Sequence, residues 1–435
     1  MPANLMGIFG IIAILGIAVL FSSNRKAIHL RVVGAAFGLQ ALVAATVLYW
    51  DRGQQAIDTL SGWVLAVIGF AGAGINFVLG PLANINGVVQ GVVESEYDMA
   101  PAADSMVSTG FSFAVNVLPI IIFFAALMSV MYHLRIMEWL VRIVGGALHK
   151  IIGAGSIESM NAAANIFVGQ TEAPLVVKPY LKGLTEPQFF AVCVSGLASI
   201  AGTVLAGYAA LGAEMKYLLA AAFMAAPGGL LMAKIIMPDE EYIPPSEHEK
   251  LRMEPSSHRN VIMAAAAGTS DGLRLAVNIG AMLIAFVALI ALFNGLVGGI
   301  AGLLGIDSLL GVEAVTLELI LGKIFQPLMW LLSVPWAEAE AAGSLFGEKI
   351  ILNEFIAFAN METRLEGMSP RTIAVTTFAL CGFANLSSIA ILLGGLGVLV
   401  PEKRELIGKF GLKAVLAASL SNLMSAALAG IMLTF

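Results

Sequence analysis

The stretch Gly169-Gln170-Thr171-Glu172-Ala173-Pro174 places an acidic residue and a helix-breaking proline inside an otherwise apolar part of the chain. A second stretch, Leu352-Asn353-Glu354-Phe355, places another acidic residue in similar surroundings in the second half. A charged side chain at the centre of a bilayer costs about 2.5–3.5 kcal/mol on insertion scales, so it needs a partner or a function. Either stretch alone could cap a helix at the membrane surface. Their matching places in the two halves favour one shared site at mid-membrane.

The composition of the chain is that of an integral membrane protein. Of the 435 residues, 59% are hydrophobic and 12% are charged, whereas about a quarter of the residues in an ordinary soluble domain are charged. The net charge of -6 and the lack of a basic stripe exclude nucleic acid as a partner. The two cysteines, Cys193 and Cys381, lie in apolar runs and indicate neither a disulfide nor a metal site.

Apolar windows of about 20 residues are long enough to cross a hydrocarbon core of roughly 30 Å. The sequence contains eight such windows: 4–21, 32–50, 111–131, 188–210, 215–236, 274–296, 372–397 and 411–434. The Gly-rich segment 61–80 could either span the membrane or lie at its surface. The segments 134–152 and 316–336 combine tryptophan with charged residues, which predicts amphipathic helices along the membrane surface.

The charge distribution predicts the orientation of these spans. The first window has no basic residue before it and a basic cluster directly after it, at 25–31, the reverse of a cleavable signal peptide. Basic loops stay on the cytoplasmic side. The segments 22–31, 237–260 and 399–413 are therefore predicted to be cytoplasmic, with both termini periplasmic.

The second half of the chain repeats the order of features in the first half. Each unit has a span, an amphipathic helix, an acidic re-entrant hairpin, a turn, a broken helix and a final span. Because each unit would cross the membrane an odd number of times, the second would be inverted, and such repeats bind solute at their midplane interface. The predicted fold is an all-α polytopic membrane protein with eight transmembrane helices and two re-entrant hairpins in inverted repeats.

The corresponding domain boundaries follow from these units. We expect the following segments: N-terminal scaffold helices with an interfacial helix at 1–110, a first repeat at 111–236 with its hairpin near 155–180 and broken helix at 188–210, a cytoplasmic loop with an amphipathic segment at 237–273, and a second repeat at 274–434 with its hairpin near 338–362 and broken helix at 372–397.

Oxygen-bearing residues surround the predicted helix breaks. Pro174 and the glycines near Ser199 and Asn385 can interrupt helices and free backbone carbonyls at membrane depth. Together with side-chain oxygens from Asn165 and Ser199, these carbonyls are the hard ligands that a small cation prefers. Taken singly, Asn165 and Ser199 could equally make hydrogen bonds between helices.

A catalytic interpretation is disfavoured. The pattern Gly268-Thr269-Ser270-Asp271-Gly272 matches the nucleophile elbow of hydrolases, but that motif requires a preceding strand and a histidine partner. Here the pattern opens a span, so Ser270 or Asp271 is predicted to be a helix N-cap. The sequence contains no H-E-x-x-H metalloprotease motif, and we assign no catalytic residue.

At these residues the sequence resembles the concentrative nucleoside transporter family over nearly its whole length. The motifs that carry the resemblance are 169–175 (GQTEAPL), 199–204 (SIAGTV), 353–355 (NEF) and 381–389 (CGFANLSSI). The resemblance implies a homotrimer in which each subunit has a scaffold and a mobile transport domain, and an elevator-type transport movement.

The resemblance also implies roles for individual residues. Gln170, Thr171 and Glu172 would address the nucleobase, with Val204 and Phe383 packed around it. Glu354, Asn385 and Ser388 would hold the ribose hydroxyls. Sodium would be bound by Asn165, Ser199 and the carbonyls of Val168 and Ile200.

The expected function is sodium-driven symport of nucleosides, such as uridine or adenosine, across a bacterial inner membrane. Sodium is the expected coupling ion, the lipid bilayer is the expected surrounding, and no organic cofactor is expected. Two alternatives within transport stay open at this point. One is coupling to protons, and the other is an elevator carrier for a different small polar solute, since a fold alone does not fix its substrate.

Overall fold

A computed structural model describes residues 3–80, 112–240 and 258–433. Within these ranges the regular structure is entirely helical. The polar end of the predicted N-terminal region and the middle of the predicted cytoplasmic loop lie outside the described residues.

The helices of the first part of the chain include both halves of the first broken helix. They are α1 Ala3–Leu20, α2 Leu30–Ala44, α3 Asp51–Leu79, α4 Phe113–Asn116, α5 Leu118–His133, α6 Ile136–Ile152, α7 Ser156–Ala164, α8 Lys178–Leu181, α9 Glu186–Ala198, α10 Gly202–Ala210 and α11 Met215–Ile236. A π-helical turn, Ala45–Tyr49, extends α2, and a 3₁₀ helix, Ala173–Val177, precedes α8.

The helices of the second part follow the same order of features. They are α12 Val261–Leu303, α13 Ile306–Leu310, α14 Leu317–Leu331, α15 Trp336–Ile351, α16 Glu354–Arg364, α17 Pro370–Leu380, α18 Ser387–Gly394, α19 Leu396–Leu399 and α20 Arg404–Met432. The segments α15 and α16 form the second hairpin, and α17 and α18 form the second broken helix. The predicted succession of hairpin and broken helix is therefore present in both halves.

In the described residues, seven helices are long and apolar enough to cross a membrane, or eight if one bent pair counts as a span. They are Leu30–Tyr49, Asp51–Leu79, Phe113–His133, Glu186–Ala210, Met215–Ile236, Val261–Leu303 and Pro401–Met432, with the bent pair Leu317–Leu331 and Trp336–Ile351. The segment 61–80, left open by the sequence, belongs to the continuous helix α3. The predicted window 4–21 forms the helix α1, and the window 372–397 contains the second broken helix, as predicted.

The helix α12 is longer than the sequence patterns indicated. It runs for 43 residues, about 65 Å at 1.5 Å per residue, because it contains no proline and Asn260 caps its start by accepting a hydrogen bond from Met263 N at 2.8 Å. The predicted amphipathic segment before 274 is therefore continuous with the span 274–296. Ser270 and Asp271 lie in the helix interior, so their prediction as N-caps is wrong.

Glycines on α12 allow it to approach α5 closely. A Cβ atom at Gly268 would lie 2.6 Å from Ala125 O, and one at Gly272 would lie 2.8 Å from Ile122 Cα. Small residues permit such contacts between membrane helices. Gly268 and Gly272, the glycines of the hydrolase-like pattern, thus allow α12 to pack closely against α5.

Matching N-caps start the two broken helices. Thr185 accepts a hydrogen bond from Gln188 N at the start of α9, and Ser369 accepts one from Thr372 N at the start of α17. Each helix has a proline in its first turn, where the missing N–H costs nothing. Both helices pack against the closing spans α11 and α20, which also pack against each other. The two breaks are thereby held side by side in the most buried part of the molecule.

Candidate functional site

The tip of the second hairpin buries an acidic residue. Asn353 caps α16 by accepting a hydrogen bond from Ile356 N at 3.0 Å, which fixes Glu354 as the first residue of that helix. The Glu354 carboxylate is buried, 2% exposed. It accepts hydrogen bonds from the Tyr208 hydroxyl and from Asn385 Nδ2, both at 3.0 Å. Since a carboxylate offers about four lone-pair sites, it can still accept further donors.

Tyr208 brings the first broken helix to this carboxylate. It lies on α10, and its ring stacks on Phe358 with centroids 4.5 Å apart and contacts Phe355 at 4.7 Å. The sequence prediction did not include Tyr208. Its one sequence signal is a phenol near the end of an otherwise apolar half-helix, and a buried phenol usually has a hydrogen-bond partner.

The break in the second broken helix is organised by Asn385. Its Oδ1 accepts hydrogen bonds from Ser388 N at 2.9 Å and from the Ser387 hydroxyl at 2.7 Å. Its Nδ2 donates to Glu354. One side chain therefore holds the start of α18 and orients the acidic residue of the hairpin.

The tip of the first hairpin reaches the same cluster through Gln170. Gln170 Nε2 lies 3.5 Å from the Ser388 hydroxyl, a long hydrogen bond. The Gln170 Oε1 atom is buried and has no hydrogen-bond partner among the described residues. Next to it, Thr171 packs against Gly395, where a Cβ atom would lie 2.7 Å from Thr171 Cγ2. The structure thus brings Gln170, Ser388, Asn385 and Glu354 together.

Glu172 has different surroundings from Glu354. It is exposed, accepts one hydrogen bond from Gly169 N at 3.2 Å, and lines a cavity of about 270 Å³ that Tyr132, Thr203 and Asp271 also line. In the part of the chain that the structure describes, no hydrogen bond joins Glu172 to the Glu354 cluster. The two predicted acidic residues are therefore not in one hydrogen-bonded group.

The predicted apolar neighbours lie along the breaks. Val204 is buried in the first turn of α10, and Phe383 is half-buried in the second break. Phe383 N donates to Ser199 O at 3.1 Å. This bond links the two helix breaks through their backbones.

The predicted cation ligands lie at the first break. Asn165 is buried, and its Nδ2 donates to Asn161 O at 2.9 Å and to Ser195 Oγ at 3.4 Å. The Oδ1 atoms of Asn165 and Asn161 are both buried without a hydrogen-bond partner among the described residues. Ser199 and Ile200 form the extended segment after α9, and Val168 follows Asn165 in the hairpin. Unpartnered carboxamide oxygens beside freed carbonyls are a donor set that fits sodium.

A cation at this place would be held by oxygen atoms of neutral groups. Across the described residues, no group of three or more histidine, cysteine, aspartate or glutamate side chains could hold a metal ion. The sequence prediction did not include Asn161 and Ser195, which support Asn165. Their only sequence signal is the clustering of polar residues in helical segments that are otherwise apolar.

Models of known protein families match most of the chain. The model of the Na+ dependent nucleoside transporter family matches with its N-terminus at residues 9–82 and its C-terminus at residues 217–430. A model described as nucleoside recognition matches residues 114–215 between them.

Individual proteins agree with these matches. The nucleoside permease NupC of Helicobacter pylori is 46% identical over 434 residues, which cover 99% of this chain and 98% of that protein. The structure of CNTnw in an inward-facing substrate-bound state is 44% identical, with a TM-score of 0.87 and 99% of both chains covered. A variant of CNTnw in an outward-facing state is 44% identical, with a TM-score of 0.89 and the same coverage. The chain therefore belongs to the concentrative nucleoside transporter family and is a multi-pass membrane transport protein of the elevator type rather than an enzyme.

Proposed function

We propose that the protein imports nucleosides across the bacterial inner membrane together with sodium. The observation that carries the substrate class is the buried Glu354 carboxylate, which Tyr208 and Asn385 orient without using all its acceptor sites. Neighbouring ribose hydroxyls are donors that can occupy the remaining sites. A solute without these hydroxyls would leave a buried charge poorly solvated and would bind weakly.

The nucleobase would lie on the side of the first hairpin. Gln170 Oε1 is a buried acceptor without a partner among the described residues, which suits an amino or imino group of a base. Thr171 and Glu172 continue the same tip, and Val204 and Phe383 offer apolar contact to a ring. In this proposal Asn385 and Ser388 join Glu354 on the ribose side.

Sodium would bind at the first break, through Asn165, Ser199 and the carbonyls of Val168 and Ile200. The unpartnered Asn165 Oδ1 and the description of the matching family both support this ion. A cation that moves inward gains roughly 2.3 kcal/mol per 100 mV of membrane potential. Cation entry can therefore drive nucleoside accumulation.

Transport would follow the elevator scheme, with both hairpins and both broken helices moving as one unit between the two sides. We extend the proposal to a homotrimer with periplasmic termini and with the two repeats at 111–236 and 274–434. The apolar outer face of α12, where Leu292 and Leu296 are each 59% exposed in the single chain, is available to lipid or to another subunit. Chemical crosslinking in detergent would test the trimer.

Uptake into proteoliposomes tests the function. With an inward sodium gradient we expect accumulation of radiolabelled uridine and adenosine, and little uptake when choline replaces sodium. The Asn165→Ala variant should need about tenfold more sodium for half-maximal uptake, the loss of about 1.4 kcal/mol of binding free energy.

Three results would redirect the proposal. Uptake that ignores sodium but follows a proton gradient would replace the coupling ion. Uptake of another polar solute in place of nucleosides would replace the substrate. An Asn165→Ala variant with an unchanged sodium requirement would move the cation away from the first break.

A further inference from the structure

The last turn of α15, just before the second hairpin tip, contains a fully buried lysine. Lys349 is 0% exposed, and its Nζ donates to Ala379 O at 2.8 Å and to Asn422 Oδ1 at 2.7 Å. Among the described residues, no carboxylate lies within ion-pair distance of it. Burying an ammonium group costs several kcal/mol unless other groups solvate it, so a lysine here requires a specific role.

The molecule contains a second buried lysine, whose charge is compensated in the usual way, by ion pairs. Lys234 on α11 is paired with Glu158 at 2.5 Å and with Asp239 at 2.6 Å. Its charge is neutralised by carboxylates. Lys349 is instead solvated by neutral oxygen atoms, which is how a protein binds a free alkali cation.

One neutral oxygen atom beside Lys349 belongs to the end of a half-helix, and the other belongs to a side chain that contacts both helix breaks. Ala379 is in the last turn of α17, whose final carbonyls lack intrahelical partners and carry partial negative charge. The partner Asn422 lies on α20, and its Nδ2 donates to Ala198 O and to Cys381 O, both at 2.7 Å. Ala198 ends α9 and Cys381 follows α17. Asn422 therefore joins the ends of the two broken helices, and Lys349 holds Asn422.

If sodium binds as proposed, each repeat has a positive charge between its hairpin and the C-terminal end of the first half of its broken helix. In the first repeat the proposed sodium ligands Asn165 and Ser199 lie on the hairpin and at the C-terminal end of α9. In the second repeat Lys349 lies on the hairpin and contacts the C-terminal end of α17. The difference is that the sodium ion would exchange with the solution, whereas the ammonium group of Lys349 is covalently attached to the chain.

We propose that Lys349 is a tethered cation that takes, in the second repeat, the place of sodium in the first, and that it transmits sodium binding to the nucleoside site through Asn422. Sodium bound at Ser199 fixes the neighbouring Ala198 carbonyl, which orients Asn422 and in turn Lys349. The hairpin that carries Lys349 also carries Glu354. Lys349 is thus a positioning residue, and this inference rests on the proposed sodium-coupled nucleoside transport.

The test is the thermodynamic coupling between the two ligands. Coupling is the factor by which sodium tightens nucleoside binding, and it commonly lies in the range of roughly 5- to 150-fold. We would measure the uridine Kd of the purified full-length protein by titration calorimetry, in sodium and in choline. The variants are Lys349→Met, which keeps a long unbranched side chain but removes the charge, and Lys349→Arg, which keeps the charge.

For the unaltered protein we expect a lower uridine Kd in sodium than in choline. The measured ratio is the Kd in choline divided by the Kd in sodium. Lys349→Met should bring this ratio close to one, while Lys349→Arg should retain the greater part of it. Lys409→Met is the matched control, because Lys409 is on α20 like Asn422 but its side chain is 65% exposed; its ratio should be unchanged. A lysine needed only for folding would weaken binding equally in both salts and leave the ratio intact.

Two outcomes overturn the inference. One is a Lys349→Met protein with an undiminished ratio, and the other is a Lys349→Arg protein whose ratio is lost to the same extent. If Lys349→Met does not yield a folded oligomer, Asn422→Asp serves as the test. It keeps an acceptor for Lys349 but removes the donors to Ala198 and Cys381, so a preserved ratio in that variant also overturns the inference. An unaltered protein without any sodium effect on uridine binding would instead refute the proposed function itself.

Discussion

The two acidic hairpin tips have the same place in their repeats but different surroundings. Glu354 is buried and accepts hydrogen bonds from side chains of both broken helices, Tyr208 and Asn385. Glu172 is exposed to a cavity and accepts one hydrogen bond from the backbone of its own tip, at Gly169 N. Repeated architecture therefore does not imply repeated chemistry. In the proposed function, the second tip would contact the ligand directly, whereas the first would bind it through water.

Replacing Glu354 tests the buried tip and should have the largest effect. In Glu354→Gln one carboxylate oxygen becomes an NH2 group, which would face either the NH2 group of Asn385, also a donor, or the Tyr208 hydroxyl, which would have to turn and accept. Two hydrogen bonds from ribose hydroxyls to a charged group are worth about 1.5–3 kcal/mol each. We expect initial uridine uptake in proteoliposomes to fall more than about 100-fold, since each 1.4 kcal/mol is a factor of ten.

The matched control for this variant is Glu362→Gln. Glu362 lies on the same helix, α16, but is exposed, so its uptake should equal that of the unaltered protein. If Glu354→Gln kept more than a third of the uptake rate, the carboxylate would not be a direct ligand.

The sequence predicted the elements that depend on local patterns. The two broken helices and the two hairpins have local signals, such as the turn before each broken helix and polar residues beside glycines, and the structure confirms them. The continuity of α12 was missed because Ser270 and Asp271 resemble a helix start, whereas the neighbouring glycines in fact pack against α5. Hydropathy alone could not distinguish a helix that starts near Ser270 from one that continues through it.

The parts of the site that the sequence did not reveal depend on contacts between distant segments. Tyr208 reaches Glu354 from the other repeat, and Lys349 meets Asn422 across the bundle. Neither contact leaves a spacing pattern in one sequence. The roles assigned to the predicted nucleoside and sodium ligands all stay predictions. The different surroundings of Glu172 and Glu354 become visible only in the folded structure.

Removing the Tyr208 hydroxyl tests whether the hydrogen bonds around Glu354 set the affinity of the second tip. Tyr208→Phe deletes one of the two hydrogen bonds to Glu354 but keeps the ring that stacks on Phe358. A hydrogen bond to a charged group contributes about 1.5–3 kcal/mol, part of which water or substrate can replace. We expect the KM for uridine to rise about tenfold, with the sodium dependence of uptake nearly unchanged.

The readout that distinguishes positioning from folding is the set of nucleosides affected. Tyr208→Phe should reduce discrimination between uridine and 2′-deoxyuridine, because a less firmly held carboxylate distinguishes the ribose hydroxyls less well. An equal loss for both nucleosides would indicate that the tyrosine stabilises only the packing of α10 against α16.

Replacing Glu172 should have the smallest effect of the three. In Glu172→Gln the side chain can still accept the hydrogen bond from Gly169 N, and the adjoining cavity of about 270 Å³ leaves room for water to bridge to the substrate. We expect the KM for uridine to rise less than about tenfold, since a water-mediated contact is weaker in discrimination than a buried direct one. The change should depend on the base, and comparing uridine with adenosine uptake measures this. If Glu172→Gln were as severe as Glu354→Gln, the cavity would close around the first tip during transport, and the difference between the tips would belong to this conformation alone.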